Sequence, residues 1–290
     1  MSREIVNVGA GTNILGLFAK ALVPKSKSIP KDSLPEKIIR QDVFVYDDAL
    51  IGKYKKLCGF EPSHKHFALA YVTTMSFPLQ LQLLVDKAFP HAVLGIIHLK
   101  NTVEQFRSFV LEDIARVEVS FNPSKDHSLG TVYVVKTQVF DKNEELLCQV
   151  LADNLKIHKK RENKRNSSPR YDALFGEETL WELPSNLGRS YASISKDINP
   201  IHLFGFSAKL FGFKRQITHG MYAYNRAFAN LEASVNPLSA FVFSIDFLKP
   251  LYLPGKANFV KKKQEDKVIF EVQSTDKTVL HFSGYLLSKA

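Results

Sequence analysis

Residues 191–202 of this 290-residue chain read Tyr-Ala-Ser-Ile-Ser-Lys-Asp-Ile-Asn-Pro-Ile-His. They set a carboxylate, Asp197, and an imidazole, His202, five positions apart around a helix start. Asn199 is a favourable N-cap, and Pro200 suits the first helical position, where a missing N–H has no partner to lose. His202 then falls in the first turn and Asp197 on the incoming segment. Two such groups can grip one water molecule, which is what adding water across a double bond needs. Burial and mutual charge would set their pKa values, so that one polarises the water and the pair passes a proton onward. Further on, Ile217-Thr218-His219-Gly220 opens a helix-like stretch over 220–232. The Gly220 N–H would project from that helix N-terminus, unpartnered and at the positive end of the dipole. It could hold a developing oxyanion, a role whose loss typically costs about 10²–10³ in rate.

The dodecapeptide resembles the signature of MaoC-type dehydratases and (R)-specific enoyl-CoA hydratases, roughly Tyr-Ala-x-x-Ser-Gly-Asp-x-Asn-Pro-Ile-His. Ile217-Thr-His-Gly-Met221 is similar to the family's Ile-Ala-His-Gly-Met. The resemblance implies an α+β fold in which a long helix is wrapped by a curved antiparallel sheet, the hot dog, given twice in one chain. It implies that Asp197 and His202 hold the water and that Gly220 supplies the oxyanion N–H. The reaction implied is interconversion of a trans-2-enoyl and an (R)-3-hydroxyacyl thioester. Coenzyme A or an acyl carrier protein carries the substrate, and no metal or other cofactor is needed.

Two positions depart from that pattern. Lys196 stands where the family has glycine, and strains the turn if φ is positive there. Phe228 occupies a helix position where some relatives carry serine, which would make the water site drier. Read singly, Asp197 could end a turn and His202 could be a satisfied first-turn histidine; the joined motifs favour chemistry. Asn199 and Pro200 shape the turn, while Tyr191, Ser195 and His219 frame the site. Lys261, Lys262 and Lys263 read as a solvated hairpin edge, with a coenzyme A contact as the alternative, and Lys196 could meet a phosphate.

Composition narrows the rest. With 45% hydrophobic and 23% charged residues, the chain can bury one large core or two modest ones. Cys58 and Cys148 are far apart, which argues against a disulfide scaffold or a zinc site. The net charge of +10 suits a solvated surface or an anionic substrate handle. No nucleic-acid motif accompanies it, and the dense Lys159–Arg165 cluster reads as linker. The uncharged run Phe67–Val85 has membrane-spanning length, yet its threonines, glutamines and proline suit a buried globular segment. No export signal is evident and the terminal Ser-Lys-Ala only approximates a peroxisomal address, so a cytoplasmic protein is expected. Gly9-Ala-Gly11-Thr-Asn-Ile-Leu-Gly16 looks faintly like a dinucleotide loop, but lacks its third glycine and any evident βαβ context; a flexible segment is expected.

The elements that would position the site come in two sets. The polar segment 158–170 divides an N-terminal unit, 1–157, from a catalytic C-terminal unit, 171–290. After the helix at 220–232, strand-like runs follow near 240–249, 256–263, 267–274 and 278–287. In the first half a helix-like stretch near 78–87 precedes runs near 94–106, 113–121, 131–140 and 144–156. Val103–Asp113 can be laid on Ile245–Gly255 at an offset of 142. That offset carries Asp197 and His202 onto Lys55 and Phe60, and Gly220 onto Pro78, which has no N–H. The first half holds no Asp-x-Asn-Pro-x-His string, so one active site is expected, supported by the first unit, which would also offer the acyl-chain pocket. Phe241, Phe243, Ile245 and Phe247 alternate with Val242, Ser244 and Asp246, giving a face that the apolar stripe of 220–232 would cover. A hot-dog acyl-CoA thioesterase and a non-catalytic acyl-binding protein remain as alternatives. A homodimer is compatible with this reading, and stable membrane insertion and nucleic-acid binding are not expected.

Overall fold

A computed structural model describes residues 3–9, 11–23, 25, 34–158, 171–234 and 240–289. Most of the proposed linker, 159–170, and with it the Lys159–Arg165 cluster, lies outside the described residues. The first unit runs β1 (Glu4–Asn7), α1 (Ile14–Leu22), β2 (Lys37–Gln41), α2 (Asp48–Cys58), α3 (Phe67–Met75), α4 (Phe77–Leu84), β3 (Ile96–Gln105), β4 (Arg116–His127), β5 (Gly130–Phe140) and β6 (Leu146–Ile157). The second runs β7 (Glu177–Leu183), α5 (Leu187–Ser195), α6 (Pro200–Leu203), α7 (Gly205–Leu210), α8 (Gly220–Leu231), β8 (Phe241–Phe247), β9 (Gly255–Gln264), β10 (Lys267–Ser274) and β11 (Leu280–Ser288). The four strands expected after the helix in each half are all present.

The strands form one sheet, in the order β1-β2-β4-β5-β6-β3-β8-β11-β10-β9-β7. From the middle outward, β3-β6-β5-β4-β2 on one side repeats β8-β11-β10-β9-β7 on the other. The fold is thus two hot dogs joined edge to edge, which hides the β3 and β8 edges from other chains. At the join, Thr102 pairs with Ser244, and their hydroxyls lie 2.9 Å apart. Copies related by a twofold axis must present equivalent residues to each other at that axis. A pair separated by 142 residues therefore marks it, at the offset the sequence suggested.

Helix α8 covers the apolar face of the second sheet, with the Tyr224 ring 4.8 Å from Phe243 and the Phe228 ring 5.1 Å from it. Its other side is not solvated as the striping suggested: Tyr222 and Ala229 are buried as well. The first unit explains this, since its Phe60 reaches Phe228 and its Thr74 bonds Asn225. A helix between two units needs no polar face.

Three other expectations change. The first unit's core helix starts at Phe67, eleven residues before the predicted 78, and breaks at Ser76 into α3 and α4. The near-complete burial of α3 removes the periodicity that would have revealed it, and Pro78 serves as an early residue of α4. Phe67–Leu84 is long and apolar enough to cross a membrane by length and composition, but 72% of that window is buried inside the fold. The glycine-rich N-terminal segment is not a loose tail: β1 pairs in parallel with β2, with α1 between them. A Cβ at Gly9 or Gly11 would meet nothing within 4 Å, so no close backbone approach demands those glycines.

The repeat offset also drifts. Helix α2 ends at Gly59, φ 80°, and its counterpart α5 ends at Lys196, φ 63°. Both caps are left-handed, which sets the local offset at 137 rather than 142. Phe60 and Lys65 then correspond to Asp197 and His202, in place of Lys55 and Phe60. By element order Gly220 corresponds to Phe67, first residue of α3, and not to Pro78. The first unit still lacks both reactive groups.

The left-handed cap costs a lysine what it does not cost a glycine. Lys196→Gly is therefore expected to stabilise the protein by about 0.5–1 kcal/mol, which thermal unfolding would register as a rise of roughly 1–4 °C. A lower melting temperature would show that the lysine contributes more than its strain removes.

Candidate active site

The chain between α5 and α6 is fixed by side chains bonding their own backbone. Asp197 N donates to Ser195 Oγ at 3.2 Å, and Asn199 N donates to Asp197 Oδ1 at 3.2 Å. Asn199 Oδ1 accepts from Ile201 N at 3.4 Å and so caps α6, with Pro200 first in the helix as expected. The helix is one turn long, and α5 lies against it. A Cβ on Gly188 would stand 1.9 Å from the His202 carbonyl oxygen. Only glycine lets α5 approach this close.

His202 is 8% exposed, and its Nδ1 lies 2.9 Å from the Ile217 carbonyl. A carbonyl only accepts, so Nδ1 carries the proton and Nε2 is left as an acceptor. Ile217 is held in turn by its N–H to Ile201 O and a bridge to Tyr252. His219 stacks on His202 with ring centroids 3.8 Å apart and donates through Nε2 to the Asp197 carbonyl at 3.0 Å. One ligand atom each of Asp197, His202 and His219 lies within 4.8 Å of the others. That spacing would also suit a cation. Each ring donates through one nitrogen and keeps the other as an acceptor, an arrangement that serves proton transfer and metal ligation alike.

Burial raises the Asp197 carboxyl above its ordinary value, against the lowering pull of His202 and of the Asn199 N–H. Burial lowers the His202 imidazole, against the raising effects of Asp197 and of the Ile217 carbonyl. His219 is driven well below its ordinary value, first by burial and then by His202. All three shifts share a cause, removal of charge from water, and they bring carboxylate and imidazole affinities for a proton closer together.

His219 is also the N-cap residue of α8, yet its side chain makes no cap bond to that helix. The first-turn N–H groups, Gly220 among them, therefore have no side-chain acceptor, and they begin one peptide beyond the ring that touches Asp197 and His202. A Cβ on Gly220 would come 3.2 Å from the Phe247 ring.

Tyr191, Ser195, Asp197 and Met221 border a cavity of about 30 Å³ whose other wall belongs to α3, α4 and β3 of the first unit. The Tyr191 hydroxyl lies 3.2 Å from Thr74 Oγ1 and accepts from Asn225 Nδ2 at 3.0 Å; Thr74 also meets the Tyr54 hydroxyl. Tyr54 is the counterpart of Tyr191 at the offset of 137, so the two equivalent tyrosines converge on one threonine. Asp197, His202, His219, Tyr191, Ser195, Asn199 and Pro200 are thus assembled in one place. Sequence reasoning expected the first unit to support the site but missed Gly188, Asn225 and the individual residues of the first-unit wall; only a glycine inside a helix gave a signal.

The lysines stay outside this cluster. Lys196 is exposed and bonds its own helix through Ser193 O. Lys261 pairs with Glu177, at the far end of β9 from Gly255, and Lys262 and Lys263 are exposed beyond the end of β7. Lys261 lies between β10 and β7, whereas Lys262 and Lys263 pair with β10 alone. Phe228 packs among Phe60, Phe241 and Phe243 and is not in the cavity wall, so it does not dry the water site.

Comparison with known proteins matches residues 182–284 to the MaoC like domain. Over 252 residues, 84% of this chain and 86% of the relative, the sequence is 29% identical to 3-hydroxyacyl-thioester dehydratase X of Mycobacterium tuberculosis. The crystal structure of HtdX from that organism superposes with a TM-score of 0.73 at 23% identity, covering 87% of this chain and all of that one. The peroxisomal multifunctional enzyme type 2 of Drosophila melanogaster gives 0.66 at 18% identity, covering 87% of this chain and 48% of that longer chain. A MaoC-like dehydratase from Phytophthora capsici gives 0.62 at 17% identity, covering 87% and 94%. These structural likenesses speak to the fold.

Gly188→Ala would force α5 off the His202 backbone, and overpacking of this kind costs about 1–3 kcal/mol. Thermal unfolding should show the loss. An unchanged melting temperature would mean that α5 and α6 are not in this contact.

Proposed function

We propose that this chain, which carries a MaoC-like domain over residues 182–284, is a hydro-lyase that reversibly hydrates trans-2-enoyl thioesters to 3-hydroxyacyl thioesters. One observation carries the reading: a partly buried carboxylate and a neutral imidazole with its acceptor nitrogen free stand beside a helix N-terminus that no side chain caps. Adding water needs those three parts and no redox chemistry. The name of the M. tuberculosis relative, a 3-hydroxyacyl-thioester dehydratase, supports the same substrate class.

In hydration, the water oxygen forms a bond to C3 as its proton passes to the Asp197–His202 pair. The C2–C3 π electrons shift toward the thioester, whose oxygen gathers charge against the Gly220 N–H. The pair returns a proton to C2, so one hydrogen and one hydroxyl are added in all. His202 meets water through Nε2, because Nδ1 is committed to Ile217. The (R) configuration belongs to the same proposal, as do the absence of a metal or other cofactor and a carrier of coenzyme A or acyl carrier protein. The alternative reactions act elsewhere: a thioesterase attacks the carbonyl carbon, and an acyl-binding protein turns nothing over.

Asp197→Asn and His202→Ala are each expected to lower hydration of crotonyl-CoA by ~10²–10⁴, followed as loss of enoyl absorbance with free thiol measured in parallel. Normal turnover in either folded variant would refute the assignment, and thiol release without loss of the double bond would identify a thioesterase. The acid limb of kcat/KM follows from the same groups. Asp197 must be ionised to accept a proton, and its raised pKa moves the loss of activity to a higher pH than an aspartate at 3.8 would give. His202, lowered below 6.5, stays neutral further into acid than a free imidazole. A limb at or below pH 3.8 would exclude Asp197 as the titrating base.

A further inference from the structure

The helix that follows α6 is packed inside out. On α7 the small residues Ser207 and Ala208 are buried, while Phe206 is 71% and Leu210 83% exposed. Burial ordinarily runs the other way, with large apolar groups inside and serine outside. Phe204 and Phe211, which flank the helix, are exposed as well. Single exposed apolar residues are common, but a cluster of them on one short segment marks a surface built to meet something other than water.

The segment holds this arrangement firmly. Ser207 Oγ lies 2.7 Å from Pro200 O and 2.9 Å from Phe204 O, which ties α7 to α6. The Phe204 and Phe206 rings stack with centroids 5.5 Å apart. The Arg189 guanidinium stands 5.1 Å from the centre of the Phe204 ring and donates to Leu203 O. Gly212, φ 85°, turns the chain back after α7, and a Cβ on Gly205 would stand 4.0 Å from the Arg215 Cβ. The apolar groups therefore project from a fixed turn, with cations at its margin.

Those cations are unopposed along the segment. Arg189, Lys209, Lys214 and Arg215 are all exposed, and between Asp197 and Glu232 the chain carries no acidic residue. The natural complement of such a patch is an apolar layer beneath a negative surface, which is what a bilayer with anionic head groups offers. An acidic protein would supply the charge, but protein interfaces also use directional hydrogen bonds. The two neutral polar side chains of 203–216 are already committed, Ser207 to Pro200 O and Phe204 O and Gln216 to Ser185 O. Lipid asks only for charge and burial.

We infer that the α7 segment docks the protein peripherally on an anionic lipid surface. Phe206 and Leu210 enter the interface, and Arg189, Lys209, Lys214 and Arg215 meet the head groups. Nothing spans the bilayer. Docking places α6, which carries His202, one short helix from the phase in which long acyl chains concentrate. It does not depend on the hydratase reading.

Co-sedimentation with vesicles tests it. Wild type should bind an equal mixture of phosphatidylcholine and phosphatidylglycerol, lose that binding as salt rises, and bind phosphatidylcholine alone roughly tenfold or more weakly. Phe206→Ser combined with Leu210→Ser should weaken binding to the mixed vesicles by roughly tenfold or more. Lys209→Gln combined with Lys214→Gln should weaken it by roughly 10- to 30-fold, about fivefold for each charge. All four substitutions replace exposed side chains, so thermal unfolding in solution should stay close to wild type. Failure of the wild type to bind the mixed vesicles would overturn the docking, and so would equal binding by wild type and both double variants. A wild-type dimer in solution that the Phe206/Leu210 variant dissolves would assign the patch to a second copy and overturn it. Retention on an immobilised acidic acyl carrier protein, lost in both variants and without vesicle binding, would assign it to a carrier and overturn it likewise.

Discussion

The hydrogen bond between His202 Nδ1 and the Ile217 carbonyl determines what every other group at the site can do. It fixes the tautomer and leaves Nε2 as the acceptor, while burial keeps the ring neutral. Donor and acceptor come from segments fifteen residues apart, so the bond exists only if α6 and the strand-like approach to α8 are held together. Ile201 and Ile217 join those segments through the backbone, and Gly188 lets α5 press against them from behind. His219 completes the arrangement by bonding the Asp197 carbonyl instead of capping its own helix. That choice leaves α8 with an open N-terminus, so the contact that orders Asp197 beside His202 also leaves the Gly220 N–H without a side-chain acceptor.

Duplication gave the fold two equivalent places for such a site, and only one carries it. At the first unit's counterpart of Asp197 stands Phe60, whose ring stacks on Tyr54 and tilts against Phe228. The position equivalent to Asp197 is part of the packing between units. The same unit contributes from its other elements: Thr74 holds Tyr191 and Asn225, and β3 and α4 wall the cavity. The β3–β8 pairing makes this possible, because it fixes the first unit's strand alongside the second unit's sheet through backbone bonds rather than adjustable side chains.

The second unit was legible in detail because its signals are local. Alternation gave β8, the Asn-Pro pair gave the start of α6, and glycine after histidine gave the start of α8. The first unit was legible in its strands but not in its helix, since α3 is buried on nearly all sides and shows no helical period. Its role at the site was illegible for another reason. Thr74 and the other wall residues of α3, α4 and β3 belong to no motif, and their relation to Asp197 arises only when β3 pairs with β8. The offset of 142 was right at the join and wrong at the caps, because length differences accumulate in the segments between elements.

Lys196 ties these threads together. The first unit, which has Phe60 and Lys65 in place of Asp197 and His202, keeps a glycine at its left-handed cap, while the second places a lysine at φ 63° immediately before Asp197. Had the backbone been free to relax, a lysine would have drawn it out of the left-handed region, since that conformation costs a side chain about 1–2 kcal/mol. It stays because its surroundings over-determine it. Lys196 N is bonded to Ala192 O, Asp197 N to Ser195 Oγ, Ile198 N to Lys196 O and Asn199 N to Asp197 Oδ1, so four consecutive N–H groups fix the path. Strain held by bonds of this kind collects where geometry must not drift. The Asp197 carbonyl must reach His219 while its carboxylate faces His202, and a backbone that can hold a left-handed lysine is stiff enough to keep both.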